Sequence, residues 1–392
     1  MTTSKTKTKS QAKLPQQAIQ ETIRKPIQAP ILNLIEWEER ARAVLPAMAY
    51  DYFAAGSSDE ETLKRNRQVY NEILLRPKML RDVSYRDMTV SVLGESLSMP
   101  VIIAPMAFQG LAHEEGEVAT ARAAKTLNIR MALSTLSNCS IEEVAQAAPH
   151  HMWFQLYVYK DREITKELVG RAAAAGYKAL IVTVDSPILG RRERDLRNGF
   201  HLPNHLSAKN LAAQGLSEIG KADNHSALAA HIASLYDNAL TWESLDWISS
   251  ISKLPVLVKG IVRGDDAVLA LDHGAKGVIV SNHGGRQIDT EVTAIEVLPE
   301  VAQAMSGRGE LLVDGGVRRG TDIVKALALG AKAVLVGRPV IWALATGGSE
   351  AVVKCLTMLK QELDLTMALS GCSTLKEITP DLLKLPEHMK TT

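Results

Sequence analysis

The stretch GVIVSNHGGRQID (residues 277–289) places an imidazole and a guanidinium directly after an apolar run. His283 titrates near neutral pH and is a candidate general base. Arg286 is a permanent cation whose donors suit a carboxylate. The two intervening glycines would let both side chains turn toward one small molecule without crowding. The stretch therefore predicts proton removal from a bound carboxylic acid, with a solvated strand-end loop as the alternative.

Further charged residues follow other apolar runs. Asp185, in VTVDSPILGRRERD, is a candidate partner that would stabilise a protonated imidazole. Arg191 and Arg192 add positive charge in the same stretch, and Lys259 ends the run PVLVKG. A lysine buried there would need an anion or an electron-rich ring beside it, because an unpaired buried charge is costly. The alternative is a lysine that reaches solvent from a strand end.

Two glycine- and arginine-containing turns, DGGVRRGTD (314–322) and VGRP (336–339), follow the last two apolar runs. Glycines permit close backbone approach, and exposed N–H groups at helix N-termini bind phosphate. The sequence therefore predicts a phosphate site here rather than ordinary tight turns. His201 and His205 have a spacing seen in metal sites, but Pro203 interrupts any helix between them, so no metal site is predicted.

Eight short runs rich in Val, Ile or Leu have the character of buried parallel strands. Helix-like stretches separate them, and Gly176, Gly274 and Gly330 stand where helix-capping glycines would. Eight strand–helix units over about 245 residues predict an α/β fold of the (β/α)8 TIM-barrel type, whose active sites lie at the C-terminal ends of the strands. A doubly wound sheet is the rival, but no Gly-rich fingerprint follows the first run. The runs are 101–106, 130–136, 152–158, 179–185, 255–260, 277–282, 311–316 and 333–339.

The barrel domain is predicted to cover residues 31–385. Residues 31–75 read as a helical N-terminal extension in which Gly56 is a helix stop. The connection 187–254, after the fourth strand, is too long for a simple crossover and is expected to be a surface excursion or a mobile lid. Residues 1–30 carry a net charge of +5 and are predicted to be a disordered basic tail, with a transit peptide as the alternative.

Composition narrows the classes of protein. The net charge of +1 argues against a nucleic-acid partner. No stretch approaches the roughly 20 apolar residues of a membrane span, so no membrane partner is expected. Cys139, Cys355 and Cys372 are far apart and odd in number, which favours reduced thiols and a cytoplasmic protein.

Taken together, these motifs resemble one family. FQLYVYKDR, VTVDSPILGRRERDLRN, LVKGI, SNHGGRQID and DGGVRRGTDIVKALALGAKAVLVGRP are similar to sequences of the FMN-dependent L-2-hydroxy acid oxidases. The resemblance runs from about residue 31 to 380. It implies FMN as cofactor, a small 2-hydroxy acid and dioxygen as substrates, and a homo-oligomer, either a tetramer or an octamer.

The resemblance also implies a role for each matching position. His283 would be the active-site base, paired with Asp185, and Arg286 and Arg192 would hold the substrate carboxylate. The base would take a proton while two electrons pass to FMN, and dioxygen would then accept them and give hydrogen peroxide. Loss of a proton or of a hydride from the substrate's α-carbon requires the same histidine. The other residues expected to contact the substrate are Tyr52, Tyr157, Met106 and Leu136.

The flavin contacts implied by the resemblance fall into two groups. One group would surround the ring system and the start of the ribityl chain, and the other would bind the ribityl and phosphate end. Lys259 would face the negative charge that develops on the reduced ring. The first group is Pro105, Met106, Ala107, Ser134, Gln155, Tyr157, Thr183, Lys259 and Ser281. The second group is Asp314, Gly315, Gly316, Arg318, Gly337 and Arg338.

Two positions depart from the plant glycolate oxidases of this family. Leu136 stands where those enzymes carry Trp, and Met106 stands where they carry Thr, a pair similar to that of bacterial, especially cyanobacterial, lactate oxidases. L-lactate is therefore the first substrate expected. The alternatives are glycolate, a larger aliphatic or aromatic 2-hydroxy acid, lactate 2-monooxygenase activity, and a catalytically silent flavin-binding barrel.

Overall fold

In the computed structural model, which describes residues 30–218 and 227–389, eight short strands form a closed parallel barrel. The last strand pairs with the first, with Leu335 opposite Ile102. The strands are almost wholly buried, as parallel strands covered on both faces should be. The predicted (β/α)8 barrel is confirmed, and the closing pair excludes the doubly wound sheet. The strands are Val101–Ile103, Arg130–Ser134, Met152–Leu156, Leu180–Thr183, Val256–Ile261, Gly277–Val280, Glu310–Val313 and Ala333–Val336.

Seven of the eight strands end before the apolar run that predicted them does. The sixth strand, for example, ends at Val280, and Ser281 and Asn282 already belong to the following loop. The polar ends of the runs therefore form loops at one rim of the barrel.

The opposite rim is closed by a hairpin, Val90–Val92 and Glu95–Leu97. Val92 and Leu97 are fully buried and belong to the same apolar cluster as Trp153 and Ile279 inside the barrel. The hairpin turn lies at the start of the seventh strand, where Leu93 N donates to Glu310 Oε1 (2.8 Å). Room for a ligand is therefore left at the C-terminal rim.

Helices cover the barrel between its strands. Gly176, Gly274 and Gly330 each follow a helix with a positive φ, as the sequence predicted. The last helix, Arg338–Ser370, is broken at Gly347 and Gly348. The other barrel helices are Gly116–Thr126, Ile141–Ala147, Arg162–Ala174, Trp242–Ile251, Gly264–Asp272, Ala294–Met305 and Gly320–Ala328. Leu74–Leu75 pairs with Leu383–Lys384 as a small antiparallel sheet.

The N-terminal extension is three helices, Glu36–Val44, Ala47–Ala54 and Glu61–Glu72, rather than one helical segment. The first break falls at Pro46, which has no N–H to donate and forces Leu45 into an extended conformation. Gly56 lies just beyond the second helix, which confirms it as part of a helix stop. A side chain at Gly56 would approach Gly285 O to 3.0 Å.

The third helix of the extension is fixed to the loop that follows the sixth strand. Asp289 caps its N-terminal turn, with Oδ1 accepting from Thr62 N (2.9 Å) and Oδ2 from Asp59 N (3.0 Å). One turn further on, the buried amides of Asn66 and Asn282 exchange two hydrogen bonds of 3.0 Å. The extension is therefore built into the rim of the barrel.

The connection 187–254 contains ordered elements. Its helices in the described ranges are Glu193–Arg197, Ala227–Leu235 and Trp242–Ile251, the last of which leads into the fifth strand. We call Ala227–Leu235 the cleft helix, because Leu228 and Ile232 line the cleft described below. The predicted tail, residues 1–30, lies outside the described residues except for Pro30. Within those residues no helix is long and apolar enough to cross a membrane, and no cluster of metal ligands is found.

Candidate active site

A cleft with about 1100 Å³ of empty space, including its open mouth, lies at the C-terminal rim of the barrel. Most of the residues singled out in the sequence line it, and Asp185 and Ser281 lie directly behind lining residues. The predicted residues in the lining are Tyr52, Pro105, Met106, Ala107, Ser134, Leu136, Gln155, Tyr157, Thr183, Arg192, Lys259, His283, Arg286, Asp314, Gly315, Gly316, Arg318, Gly337 and Arg338.

His283 and Asp185 form a hydrogen-bonded pair. Nδ1 of His283 lies 2.8 Å from Oδ1 of Asp185, and the Ser186 hydroxyl donates to the same carboxylate oxygen (3.0 Å). The carboxylate thereby fixes the ring orientation and leaves Nε2 for the cleft. Gly260 makes this packing possible, because a Cβ at that position would lie 2.6 Å from Asp185 Cβ.

The environment shifts both members of this pair. Burial lowers the pKa of the His283 imidazole below its ordinary value, although the charge of Asp185 opposes that effect. Burial by itself would raise the pKa of Asp185, but the charges of His283 and Lys259 outweigh it and hold that pKa below its ordinary value. The resting state is therefore a neutral imidazole beside a carboxylate, as a general base requires.

Two arginines, Arg192 and the half-buried Arg286, place positive charge next to this pair. Arg286 lies 5.3 Å from the centre of the Tyr52 ring, and its Nη1 donates to Ala55 O (2.8 Å). Arg192 is buried, and burial together with the charge of Arg286 lowers its pKa to about 10. Two neighbouring cations, one of them buried, favour the entry of an anion.

Asp195 is a polar neighbour of these arginines that the sequence reasoning missed. It is buried, 4.0 Å from Arg192 Nη1, and neither of its oxygens has a hydrogen-bond partner among the described residues. Burial raises its pKa, against the charges of Arg286 and Arg192. Its spacing of three from Arg192, on one short helix, was the available signal.

Two tyrosines close the site from opposite sides. Tyr52 comes from the second helix of the N-terminal extension and stacks on Phe200, with ring centres 4.4 Å apart. Tyr157 follows the third strand and stacks on Tyr236, with ring centres 4.7 Å apart. Both rings are held by aromatic neighbours, so their hydroxyl groups reach the cleft in defined positions.

Lys259 is buried at the floor of the cleft. Its Nζ donates to Ser281 Oγ (2.9 Å) and lies 3.3 Å from Asp314 Oδ2. Burial by itself lowers the pKa of Lys259, but the carboxylates of Asp314 and Asp185 outweigh it and raise that pKa above its ordinary value. The lysine therefore remains a cation whose carboxylate partner belongs to the protein.

Besides Arg192 Nε, three buried polar atoms of the cleft lining have no hydrogen-bond partner among the described residues. They are Gln155 Nε2, Thr183 Oγ1 and Asp314 Oδ1, at the ends of the third, fourth and seventh strands. Leaving such an atom unpaired costs about 1–3 kcal/mol. A ligand that lies across the barrel mouth with several donors and acceptors along its length would satisfy all three.

The row of polar atoms across the barrel mouth ends at the loops that follow the seventh and eighth strands. Gly315 and Gly316 have φ values of 89° and 82°, and a Cβ at Gly316 would fall 1.9 Å from Asn66 O. Arg318 is half-buried, and loss of solvent followed by the charge of Arg67 lowers its pKa to about 10. A phosphate bound beside Arg318 would favour the charged form of its guanidinium.

Arg338, the other predicted phosphate ligand, lines the cleft but directs its guanidinium elsewhere. It donates to Phe53 O (2.9 Å), Gly284 O (3.0 Å) and Ala55 O (3.0 Å). These carbonyls include the C-terminal end of the second extension helix, which favours cations. In this structure Arg338 joins the extension to the rim.

The wall beside Met106 and Leu136 is apolar and larger than the sequence indicated. Leu189, Leu228 and Ile232 also line it. These three belong to the long connection after the fourth strand, and nothing in their local pattern marked them as cleft residues. The connection therefore supplies part of the site.

Fold and site together define a (β/α)8 barrel whose cleft suits a long, phosphate-bearing cofactor beside a small acid. The sequence profile of FMN-dependent dehydrogenases matches residues 41–385. The chain belongs to this family, and FMN is its cofactor. The unpaired polar atoms, the glycine loop at 315–316 and the half-buried Arg318 fit that cofactor.

Known proteins agree with this assignment. The chain is 52% identical over 363 residues to the L-lactate oxidase of a Nostoc species, covering 92% of this chain and 99% of that protein. It is 52% identical over 349 residues to glycolate oxidase 3 of Oryza sativa subsp. indica, covering 89% and 95%. A solved structure of mandelate oxidase with (S)-4-hydroxymandelic acid superposes with a TM-score of 0.86 at 42% identity, covering 90% of this chain and 98% of that one.

Replacing Arg318 by Met should weaken FMN binding about ten- to hundred-fold, because hydrogen bonds to a charged group contribute about 1.5–3 kcal/mol. The matched control is Arg319→Met, since Arg319 pairs with Glu362 (2.8 Å) and lies outside the cleft lining. Titration of each apoprotein with FMN, followed by flavin fluorescence, measures the dissociation constants. Equal constants for the two variants would remove Arg318 from the phosphate site.

Proposed function

We propose that this chain oxidises small L-2-hydroxy acids to 2-keto acids, with L-lactate as the first substrate and dioxygen as the final acceptor. The observation that carries the proposal is the His283–Asp185 pair in the same cleft as Arg192 and Arg286. A base and a carboxylate-binding pair within one small cleft suit an acid that bears a removable proton next to its carboxylate.

The proposed binding mode places the carboxylate between Arg192 and Arg286. Both guanidinium groups face the cleft, and an anion there would offset their mutual repulsion. Tyr52 and Tyr157 then donate to substrate oxygens, and their ring stacking limits the positions available. The substrate hydroxyl is left facing His283 Nε2.

The chain's own residues carry the proton chemistry. His283 takes the proton at Nε2, and Asp185 stabilises the resulting imidazolium through Nδ1. FMN, when bound, supplies the two-electron acceptor. Lys259 stays cationic at the floor of the cleft and stabilises negative charge that develops above it. Dioxygen takes up the two electrons with two protons and leaves as hydrogen peroxide.

An aliphatic wall argues for a substrate with an apolar side chain. This wall offers no hydrogen-bonding group strong enough to favour a polar substituent. Its residues are Met106, Leu136, Leu189, Leu228 and Ile232. A methyl group fits this wall, which supports L-lactate over glycolate. The same wall supports a second candidate class, larger aliphatic or aromatic 2-hydroxy acids.

Further parts of the proposal concern the whole molecule. We infer a homo-oligomer, a tetramer or an octamer, and a cytoplasmic protein. The three cysteines are unpaired in the structure, which is compatible with a reducing compartment. Size-exclusion chromatography with light scattering measures the oligomeric state.

His283→Gln should abolish turnover while FMN remains bound. A general base contributes about 10²–10⁴-fold, and Asp185 and the flavin contacts are left in place. Anaerobic mixing with L-lactate should bleach the flavin absorbance of the wild type within its turnover time and leave the variant yellow. Glycolate, 2-hydroxybutyrate and mandelate in parallel identify the preferred acid.

The products distinguish the remaining alternatives. Pyruvate with stoichiometric hydrogen peroxide supports the oxidase, whereas acetate indicates monooxygenase behaviour. A wild type that no 2-hydroxy acid bleaches would be a silent flavin-binding barrel. Bleaching by the histidine variant at the wild-type rate would remove His283 from its proposed role.

The pH dependence of kcat/KM should follow the depressed pKa of His283. The neutral imidazole is the active form, so activity should persist below the ordinary value of 6.5 and be lost at still lower pH. Asp185→Asn removes a charge that raises this pKa, so its acidic limb should move to lower pH while kcat falls. The charges of Lys259 and Arg192, which lower the pKa of His283, are unchanged in this variant. A limb that moves to higher pH would contradict this pairing.

Leu136→Trp should shift the preference from L-lactate toward glycolate. The indole fills the space for the methyl group, and one methylene is worth about 1–3 kcal/mol in such a pocket. The ratio of kcat/KM for the two acids should fall about ten- to hundred-fold. Leu136→Met, which conserves volume, is the control and should leave the ratio nearly unchanged.

A further inference from the structure

Tyr236 lies outside every motif found in the sequence, yet its ring contacts a site residue. It follows the cleft helix directly, is buried, and stacks on Tyr157 with ring centres 4.7 Å apart and planes 25° from parallel. Its edge also meets the ring of Tyr159, with centres 5.3 Å apart. The three rings form a compact aromatic cluster beside the cleft.

The backbone on either side of Tyr236 is tied to the segment that carries Tyr157. Asp237 N donates to Val158 O and Lys160 N donates to Leu235 O, both at 2.9 Å, which makes a short antiparallel bridge. Lys160 Nζ also donates to the carbonyls of residues 233 and 234 at the C-terminal end of the cleft helix. These hydrogen bonds therefore fix the backbone of Tyr236, so that its ring can support Tyr157.

A second tie strengthens this attachment. Asp237 accepts from Arg162 Nη2 (3.0 Å), and the Arg162 guanidinium lies 4.4 Å from the Trp247 ring. Leu228 and Ile232, on the cleft helix that ends at this attachment, line the cleft itself. The same anchored segment therefore contributes apolar residues to the cleft wall and supports Tyr157, which lines the cleft.

We propose that Tyr236 is a positioning residue that sets the ring plane of Tyr157 and thereby aims its hydroxyl at the bound acid. The inference rests on the proposed function. The Tyr157 ring has two faces, and Tyr236 stacks on one of them. The Tyr157 hydroxyl therefore cannot swing toward the cleft helix. Misplacing a positioning group by about 1 Å can cost about a hundred-fold in rate.

A double-mutant cycle on the FMN-loaded full chain tests this inference. Tyr236→Leu should lower the anaerobic rate of flavin reduction by L-lactate about ten- to hundred-fold, and Tyr236→Phe, which keeps the ring, should lower it less than three-fold. In a Tyr157→Phe background, Tyr236→Leu should cost less than about three-fold more, because the hydroxyl that it aims is already absent. Tyr236→Met serves as a second variant if Tyr236→Leu does not retain FMN.

Three results would overturn the proposal. They are an equal loss from Tyr236→Leu in both backgrounds, no loss in either, and a loss from Tyr236→Phe as large as that from Tyr236→Leu. The dissociation constant of oxalate, followed by its perturbation of the flavin spectrum, gives the same cycle without turnover. If no 2-hydroxy acid reduces the wild type, the proposed function fails, and the oxalate cycle still decides whether Tyr236 acts through Tyr157.

Discussion

The accumulation of buried and half-buried positive charge in one cleft is the constraint on which the rest of this site depends. Arg192, Arg286, Arg318, Arg338 and Lys259 all line the cleft. Such charge is tolerated only where it is paired or hydrogen-bonded. For Arg286 and Arg338 the partners are backbone carbonyls of the second extension helix rather than carboxylates. Carbonyls stabilise a guanidinium without cancelling its charge, so the cleft keeps its attraction for anions.

This arrangement explains why the N-terminal extension is part of the site. The second helix offers Phe53 O and Ala55 O to the arginines and places Tyr52 in the cleft. The third helix is held through Asp289 and through the Asn66–Asn282 pair. Without the extension, Arg286 would lose Ala55 O and Arg338 would keep only Gly284 O of its three acceptors. The extension is therefore needed to hold the arginines of the cleft.

Much of the fold and the site could be predicted because both depend on local patterns. Eight apolar runs marked the strands, and the polar residues ending them converged because parallel strands share one rim. Asp195 was missed although its spacing from Arg192 offered a local signal. The wall formed by Leu189, Leu228 and Ile232 escaped prediction because the long connection reaches the cleft through non-local contacts. The direction of Arg338 escaped prediction because two of its three acceptors lie more than 280 residues away in sequence.

The sequence correctly predicted that the two glycines of GVIVSNHGGRQID let the loop turn, but it indicated only part of the reason why glycine is required there. Gly284 and Gly285 do adopt positive φ, 64° and 74°, which lets the loop turn between His283 and Arg286. The structure adds a second requirement. A Cβ at Gly284 would lie 2.9 Å from Arg338 Nη1, and one at Gly285 would lie 2.7 Å from Leu63 N of the third extension helix. The absent side chains therefore admit the arginine and the helix that hold the loop, as well as leaving space for a small acid. A side chain at either position would disturb the base and its scaffold together, since the same turn carries both.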